Sequence, residues 1–101
     1  MSIRTVNPTT NKVIESFIEM TDEQLDEAVE KASKTYESWK KTDYKLRADI
    51  LHKVAGLLRE KKDMLAKMIT VEMGKLLAHA DGEITLSAEI FDYYASNAES
   101  F

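Results

Sequence analysis

Glycine and proline are scarce in this sequence, and their scarcity constrains the fold more than any other feature. The 101 residues include only 3 glycines and 1 proline. These residues end helices and form tight turns, and sheet sandwiches, barrels and disordered chains need many of them. We therefore expect a mostly α-helical fold with long helices.

The chain is short, and nothing in it divides one part from another. Domains typically contain about 100–200 residues. Residues 1–101 contain no linker, internal repeat or low-complexity segment, and we interpret them as a single segment. A chain of this size buries only about 60–70% of the surface that its unfolded form exposes. Its stability is therefore expected to be marginal, which favours a partner outside this chain.

Charge and cysteine content exclude several classes of function. The 14 basic and 18 acidic residues give a net charge of −4, and they alternate along the chain, so nucleic acid is not an expected partner. The absence of cysteine excludes a disulfide scaffold, a cysteine metal site and a thiol nucleophile within this chain. The N-terminus lacks an apolar targeting segment and no membrane-spanning run is present, so we expect a cytoplasmic protein without membrane contact.

The first 20 residues are predicted to form an extended arm. Residues 6–12 are rich in turn formers, because Pro8 fixes φ and the two asparagines accept unusual backbone conformations. Residues 13–19 contain β-branched and aromatic side chains and predict a strand. Pairing of this strand with residues 3–6 would give a hairpin-like arm, and a flexible arm is the alternative.

Residues 21–101 are predicted to be helical. The periodicity of the apolar residues predicts four helices near residues 22–40, 43–61, 63–73 and 76–99. Thr21 and Gln24 have the spacing of a capping box, and Asp43 and Asp63 are predicted to cap the second and third helices. Gly74 lies where the end of a helix requires a positive φ.

The first three predicted helices each have one apolar stripe, and we expect these stripes to face a shared core. The predicted core residues are Leu25, Ala28, Val29, Ala32, Tyr36 and Trp39, then Leu46, Ile50, Val54, Leu57 and Leu58, then Leu65, Ala66, Ile69 and Met73. Trp39 is predicted to anchor the first helix against the second.

The fourth predicted helix differs because it has two apolar stripes about 200° apart. One stripe contains Leu77, Ala80, Ile84, Ala88, Phe91, Ala95 and Ala98, and the other contains Leu86, Ile90, Tyr93 and Asn97. Only one stripe can face the core of so small a domain. In the isolated chain we expect Leu86, Ile90 and Tyr93 to mediate self-association, most simply as a two-fold dimer.

No active site is recognisable from the residues alone. His52 is predicted to lie on the exposed side of the second helix, with no other ligand residue at a suitable spacing. His79 and Glu83 share a helix face, but zinc sites use three or four protein ligands, so we expect only a surface pair. Glycine-rich phosphate-binding motifs and nucleophile elbows are absent.

Several short motifs nevertheless follow one another in an informative order. They are Val6-Asn7-Pro8-Thr9-Thr10-Asn11-Lys12-Val13-Ile14, Tyr36-Glu37-Ser38-Trp39, Arg47 with Ile50-Leu51 and Val54, Glu72-Met73-Gly74-Lys75, Gly82-Glu83, and Phe91-Asp92-Tyr93-Tyr94-Ala95. In sequence and spacing this series resembles the N-terminal segment of the aldehyde dehydrogenase family. Residues 73–78 and 82–84 most resemble the succinate-semialdehyde dehydrogenase subgroup.

The resemblance implies that the chain is an N-terminal fragment of an oxidoreductase. Such an enzyme oxidises an aldehyde, here expected to be succinate semialdehyde, to the carboxylate with NAD or NADP. The resemblance also implies that the catalytic cysteine and the cofactor domain are encoded downstream. The fragment alone is then expected to be inactive, to bind no cofactor and to pack against the remainder of the subunit. A free-standing helical module that binds a protein partner is the alternative.

The resemblance also implies a few site residues, none of them catalytic or cofactor-binding. Thr5, Val6 and Glu72 are similar in position to residues that hold a structural monovalent cation in some relatives. Leu86 is similar to a position near the substrate entrance. The alternatives are a solvated acid at the end of a helix for Glu72 and burial against the missing remainder for Leu86.

Overall fold

The computed structural model, which describes residues 3–101, contains two strands followed by four helices. The elements are β1 (Ile3–Val6), β2 (Val13–Phe17), α1 (Asp22–Trp39), α2 (Tyr44–Glu60), α3 (Lys62–Met73) and α4 (Leu77–Asn97). The mostly α-helical class, the N-terminal arm and the four helices are confirmed, and each helix begins and ends within about two residues of its predicted bounds. None of the described helices is long and apolar enough to cross a membrane.

The N-terminal arm is a paired hairpin, as predicted, and not the flexible arm of the alternative. Strands β1 and β2 are antiparallel, with an irregularity in their register between Thr5 and Val6. In the turn, the side-chain oxygen of Asn7 accepts a hydrogen bond of 2.9 Å from the backbone N–H of Thr9. Asn11 adopts a positive φ of 55°, a conformation that asparagine tolerates better than most residues. The two asparagines therefore shape the turn.

The first two helices begin, and the third helix ends, at the residues that the sequence predicts. Thr21 Oγ1 accepts from the N–H of Gln24 at 3.2 Å, and Gln24 Oε1 accepts from the N–H of Thr21 at 3.0 Å, so the capping box is confirmed. Asp43 caps α2 by accepting from the N–H of Leu46 at 2.8 Å. Gly74 ends α3 with a φ of 71°.

The predicted cap of the third helix is wrong. Only Lys61 separates α2 from α3, so Asp63 lies within the first turn of α3 and not before it. No side-chain hydrogen bond caps this helix. The carboxylate of Asp63 is still placed favourably, because the N-terminal end of a helix carries partial positive charge.

The core lies where α4 packs against α2 and α3. Its buried residues are Ala55, Ala66, Ala80, Ile84 and Ala88, none of them more than 8% exposed. Four of the five are alanines, and within residues 3–101 no large side chain is fully buried. The first predicted stripe of α4 thus faces the core at its centre, and the helices approach one another through small residues.

The expectation of one core shared by all helices is wrong. Helix α1 has no buried residue, so its stripe from Leu25 to Trp39 contributes nothing to the core. In α2 the predicted core residues Leu46, Ile50 and Leu57 are exposed, and the buried face instead centres on Ala55. Two further predicted core residues, Met73 and Leu77, are also exposed. The prediction followed the largest apolar side chains, whereas the contact faces contain the small ones.

The end of α1 is fixed to the start of α2 by one arginine. Arg47 Nε donates to Thr42 Oγ1 at 2.9 Å, and Arg47 Nη2 donates to the carbonyl oxygen of Trp39 at 3.1 Å. The guanidinium also lies 5.6 Å from the centroid of the Trp39 ring. The predicted anchoring of Trp39 against the second helix is therefore confirmed, and its partner is a cation.

Candidate functional site

One carboxylate on α4 joins that helix to α2. Asp92 Oδ1 lies 2.7 Å from His52 Nδ1, and Asp92 Oδ2 accepts from Arg59 Nη2 at 2.6 Å. The hydrogen bond from His52, followed by that from Arg59, lowers the pKa of Asp92 below its usual value. Both carboxylate oxygens are engaged, so Asp92 serves as an ionic clamp between the helices. His52 is half-exposed, as predicted.

Two further ion pairs join α3 and its C-terminal loop to α4. Lys62 Nζ donates to Asp81 Oδ2 at 3.1 Å, and Lys75 Nζ donates to Glu83 Oε1. The predicted surface pair of His79 with Glu83 is wrong, because Glu83 is bonded to Lys75 instead. Within residues 3–101 no three histidine, aspartate or glutamate side chains come together as a metal site.

The residues of the predicted cation site lie near the contact between the arm and α3. Thr5 and Val6 are half-buried in β1, and Glu72 is exposed in the last turn of α3. A Cβ added to Gly74 would lie 3.0 Å from Pro8 Cγ, so the hairpin turn contacts the end of α3. The hydroxyl oxygen of Thr5 is buried and has no hydrogen-bond partner in the part of the chain that is described. The Thr5 hydroxyl and the Glu72 carboxylate are oxygen donors of the kind that hard cations prefer. The cation site stays a prediction.

The second stripe of α4 is open to solvent. Leu86, Ile90 and Tyr93 are 55%, 47% and 55% exposed, and we refer to these three residues as the α4 face. The prediction that this chain does not cover them is confirmed. A role for Leu86 at a substrate entrance stays a prediction.

The described residues form a scaffold of helices that ion pairs hold together and that leaves apolar residues exposed. They include no nucleophile paired with a base. The sequence has no cysteine. Helix hydroxyls such as Ser38 Oγ and Ser87 Oγ donate to carbonyl oxygens of their own helices, at 3.0 and 2.8 Å. Sequence reasoning missed the clamp at Asp92. The available signal was the spacing of His52 and Arg59, which are two helical turns apart and share a face.

Comparisons with known proteins agree with this geometry. The model of the aldehyde dehydrogenase family matches residues 1–101. The chain is similar to the NADP-dependent succinate-semialdehyde dehydrogenase of Deinococcus radiodurans, with 38% identity over 97 residues, which are 96% of this chain and 20% of that protein. Similarity to the Mycobacterium tuberculosis enzyme is also 38%, over 99% of this chain and 22% of that protein.

Solved structures show the same relationship. The succinic semialdehyde dehydrogenase of Streptococcus pyogenes, solved in complex with NADP⁺, is 42% identical and superposes with a TM-score of 0.90. The match covers 96% of this chain and 22% of that one. The chain therefore spans about a fifth of the length of the relatives that it matches.

Proposed function

Because this chain belongs to the aldehyde dehydrogenase family, we propose that it is the N-terminal segment of an enzyme that oxidises succinate semialdehyde to succinate with NADP. The observation that carries this proposal is the whole-chain similarity to enzymes named for that substrate and cofactor, at 38% and 42% identity. In such an enzyme bound NADP would supply the hydride acceptor for the aldehyde carbon, and water would supply the second carboxylate oxygen. The family match extends over the whole of this chain, and this favours the proposal over a free-standing binding module. A cytoplasmic location stays a prediction.

The role of this segment is positioning and not chemistry. Its ion pairs lock α4 to α2 and α3 and so hold the α4 face in a fixed orientation. The remainder of the subunit is the proposed cover of that face. We expect the chain alone to be inactive, because a thiol nucleophile is absent from its sequence.

A chimera tests the proposal directly. Residues 1–101 replace the matching segment of the Streptococcus pyogenes enzyme, and NADP reduction is followed with succinate semialdehyde. We expect activity from the chimera and none from either part alone. A chimera that folds but is inactive, or activity from residues 1–101 alone, would contradict the proposal.

The same chimera tests Leu86 as a residue near the substrate entrance. Leu86→Ala is expected to raise the KM for succinate semialdehyde, and thermal unfolding of the same variant measures any separate loss of packing against the remainder of the subunit. Leu57→Ala on α2 is the matched control, since Leu57 is also about half-exposed and lies away from the α4 face. Equal effects of the two substitutions would argue against a role for Leu86.

We also propose that Thr5, Val6 and Glu72 hold a monovalent cation, the first two through backbone oxygens and Glu72 through its carboxylate. Thermal unfolding of the chimera is compared in sodium, potassium and choline salts at equal ionic strength. A bound cation stabilises the folded state by mass action, so sodium or potassium should raise the Tm and Glu72→Gln should remove this increase. Glu99→Gln is the control. Identical unfolding in all three salts would exclude the site.

In the isolated chain we propose that the α4 face associates with a second copy of itself. Leu86→Lys combined with Ile90→Lys is expected to reduce the average mass in sedimentation velocity without lowering the helix content, because the opposite side of α4 holds the core. Unfolding of the double variant would show that these residues belong to the core of the chain.

A further inference from the structure

The polar contacts that hold these helices together lie within the chain itself. The ion pairs that join α4 to α2, and to α3 with its C-terminal loop, have both members within residues 44–97. Among residues 3–101, only the hydroxyls of Thr5 and Thr70 are buried side-chain polar groups without a hydrogen-bond partner. The buried polar groups of this segment therefore need little from outside it to adopt the observed fold.

The surface that the helices leave open is apolar. Helix α1 is 18 residues long and has no buried residue. One side of it forms an open apolar hollow of about 480 Å³, which we call the α1 hollow, and its lining includes Ala28, Ala32, Tyr36 and Trp39. The α4 face is a second open apolar surface. What this segment lacks is thus contact with side chains of helices that are already formed, and not the completion of a buried hydrogen-bond network.

The area of this open surface is large enough for a tight interface. The chain exposes 8285 Å², which exceeds the surface of a compact protein of 11.5 kDa by about 2,500 Å². Each partner of a standard protein complex buries about 800 Å². The chain spans about a fifth of the length of the relatives that it matches. The remainder of the same subunit is therefore the occupant that has enough surface to cover both the α1 hollow and the α4 face.

We propose that residues 1–101 form a separable docking unit, which binds the remainder of the subunit through the α1 hollow and the α4 face and does not need the covalent link to it. This inference rests on the proposed function, because the remainder is taken to be that of an aldehyde dehydrogenase. It goes beyond that function, since a segment whose internal contacts depended on the remainder would lose its place once the link were cut.

The covalent link contributes local concentration and not contacts. A short flexible link gives an effective concentration in the millimolar range. A cut after residue 101 leaves the ion pairs between the helices in place, because all their members precede the cut. Affinity must then come from the docking surface alone, and a surface of the size found in obligate complexes is expected to hold the two pieces together at micromolar concentration.

The experiment cuts the chimera of residues 1–101 with the Streptococcus pyogenes remainder after the chimera has folded. A protease recognition sequence directly after Phe101 allows cleavage at that point. We expect both pieces to elute together in size-exclusion chromatography at micromolar concentration, and oxidation of succinate semialdehyde to continue. Pieces that separate would overturn the inference, and activity of the uncut chimera would then still support the proposed function. Pieces that stay together in a chimera that was inactive before the cut would support the inference and contradict the proposed function.

Ala32 tests whether the α1 hollow belongs to the docking surface. Ala32→Lys places a charge in the hollow and should weaken association of the cut pieces by about tenfold or more. In the uncut chimera the same substitution should change activity much less, because the link keeps the local concentration high. The matched control is Glu30→Gln, which makes the same change in net charge on the opposite side of α1. Equal losses before and after the cut, or equal effects of the two substitutions, would overturn the role of the α1 hollow.

Exchange of the segment gives a second measure that needs no substitution. Residues 1–101 with a dye at the N-terminus are added in excess to the cut chimera, which is kept at a dilution or in a mild urea concentration where the pieces separate in part. The labelled segment should enter the complex at the rate at which the unlabelled segment leaves it. Absence of the label from the complex under these conditions would show that the segment does not dock as a separate unit, and would overturn the inference.

Discussion

At the scale of single residues, Asp92 determines how α4 is held on α2. Its two oxygens accept hydrogen bonds from two cationic or cation-forming side chains of one helix. The lowered pKa of Asp92 means that the folded chain prefers the ionised carboxylate. The stabilisation is therefore fully present above the usual carboxyl pKa of 3.8 and is lost as the pH falls below it through the lowered folded value.

Asp92→Asn should lower stability at neutral pH. Urea unfolding of both proteins is measured from neutral to acidic pH, and the difference between them should shrink as the pH falls below 3.8, where protonation removes the charge from the parent chain as well. Glu89→Gln on the same helix, at an exposed position, is the control. A constant difference across this range would show that the hydrogen-bond geometry and not the charge of Asp92 matters.

Gly74 is a second residue whose identity is dictated by its surroundings. Its positive φ of 71° costs a residue with a Cβ about 1–2 kcal/mol, and an added Cβ would also lie 3.0 Å from Pro8 Cγ. Gly74→Ala should therefore lower the unfolding free energy by at least this amount. Gly82→Ala is the matched control, because nothing lies within 4 Å and a helical position should gain about 0.5–1 kcal/mol. Equal changes for the two variants in urea unfolding would contradict this explanation.

Residues that act locally were predictable, and residues that act across helices were not. The capping box at Thr21 and the αL glycine at position 74 depend on neighbours within four positions. The partners of Asp92 are 33 and 40 residues away. Their contact depends on how two helices are placed side by side, which the periodicity of a single helix does not contain. The same reasoning explains the missed pair of Lys62 on α3 with Asp81 on α4, which are 19 residues apart.

At the scale of elements, the existence of each helix was easier to predict than the face that it buries. In α4 the buried side is Ala80, Ile84 and Ala88, and the α4 face is the exposed one. In α2 the buried residue is Ala55, and the larger Leu46, Ile50 and Leu57 point outward. Alanines allow helix axes to approach closely, and the larger residues remain available for surfaces outside this chain.

The junction of α1 and α2 depends on Arg47. Arg47→Ala removes its hydrogen bonds to the carbonyl oxygens at the end of α1 and to Thr42, and should lower the unfolding free energy by about 1–2 kcal/mol. Amide hydrogen exchange near Lys41 should accelerate, because the end of α1 loses its fixed position. Lys45→Ala is the control, since its ion pair with Asp49 is largely exposed. Similar exchange in the two variants would count against this role of Arg47.

At the scale of the whole molecule, the chain is a flat and open body. Its radius of gyration is 17.9 Å, whereas a compact domain of 100 residues has about 13 Å. The exposed surface of 8285 Å² is about 2,500 Å² larger than expected for a compact protein of 11.5 kDa. An excess of this size matches the obligate class of interfaces. The two apolar stripes of α4 had indicated this incompleteness, but the lack of any buried residue in α1 was not predictable, because its stripe has the same pattern as that of a core helix.

An open body with a core of alanines should draw its stability from association. Burial of a methyl or methylene group is worth about 0.8 kcal/mol, so four alanines and one isoleucine stabilise the folded chain far less than the leucines and aromatic residues left at the surface could. A partner that binds only the folded state raises the unfolding temperature by mass action. We therefore expect the Tm of the isolated chain to rise with protein concentration, and this rise to be smaller in the Leu86→Lys, Ile90→Lys variant. Calorimetry over a wide concentration range measures both. A Tm that is independent of concentration in the parent chain would show that the alanine core is sufficient by itself, and that the exposed faces need no partner to keep the chain folded.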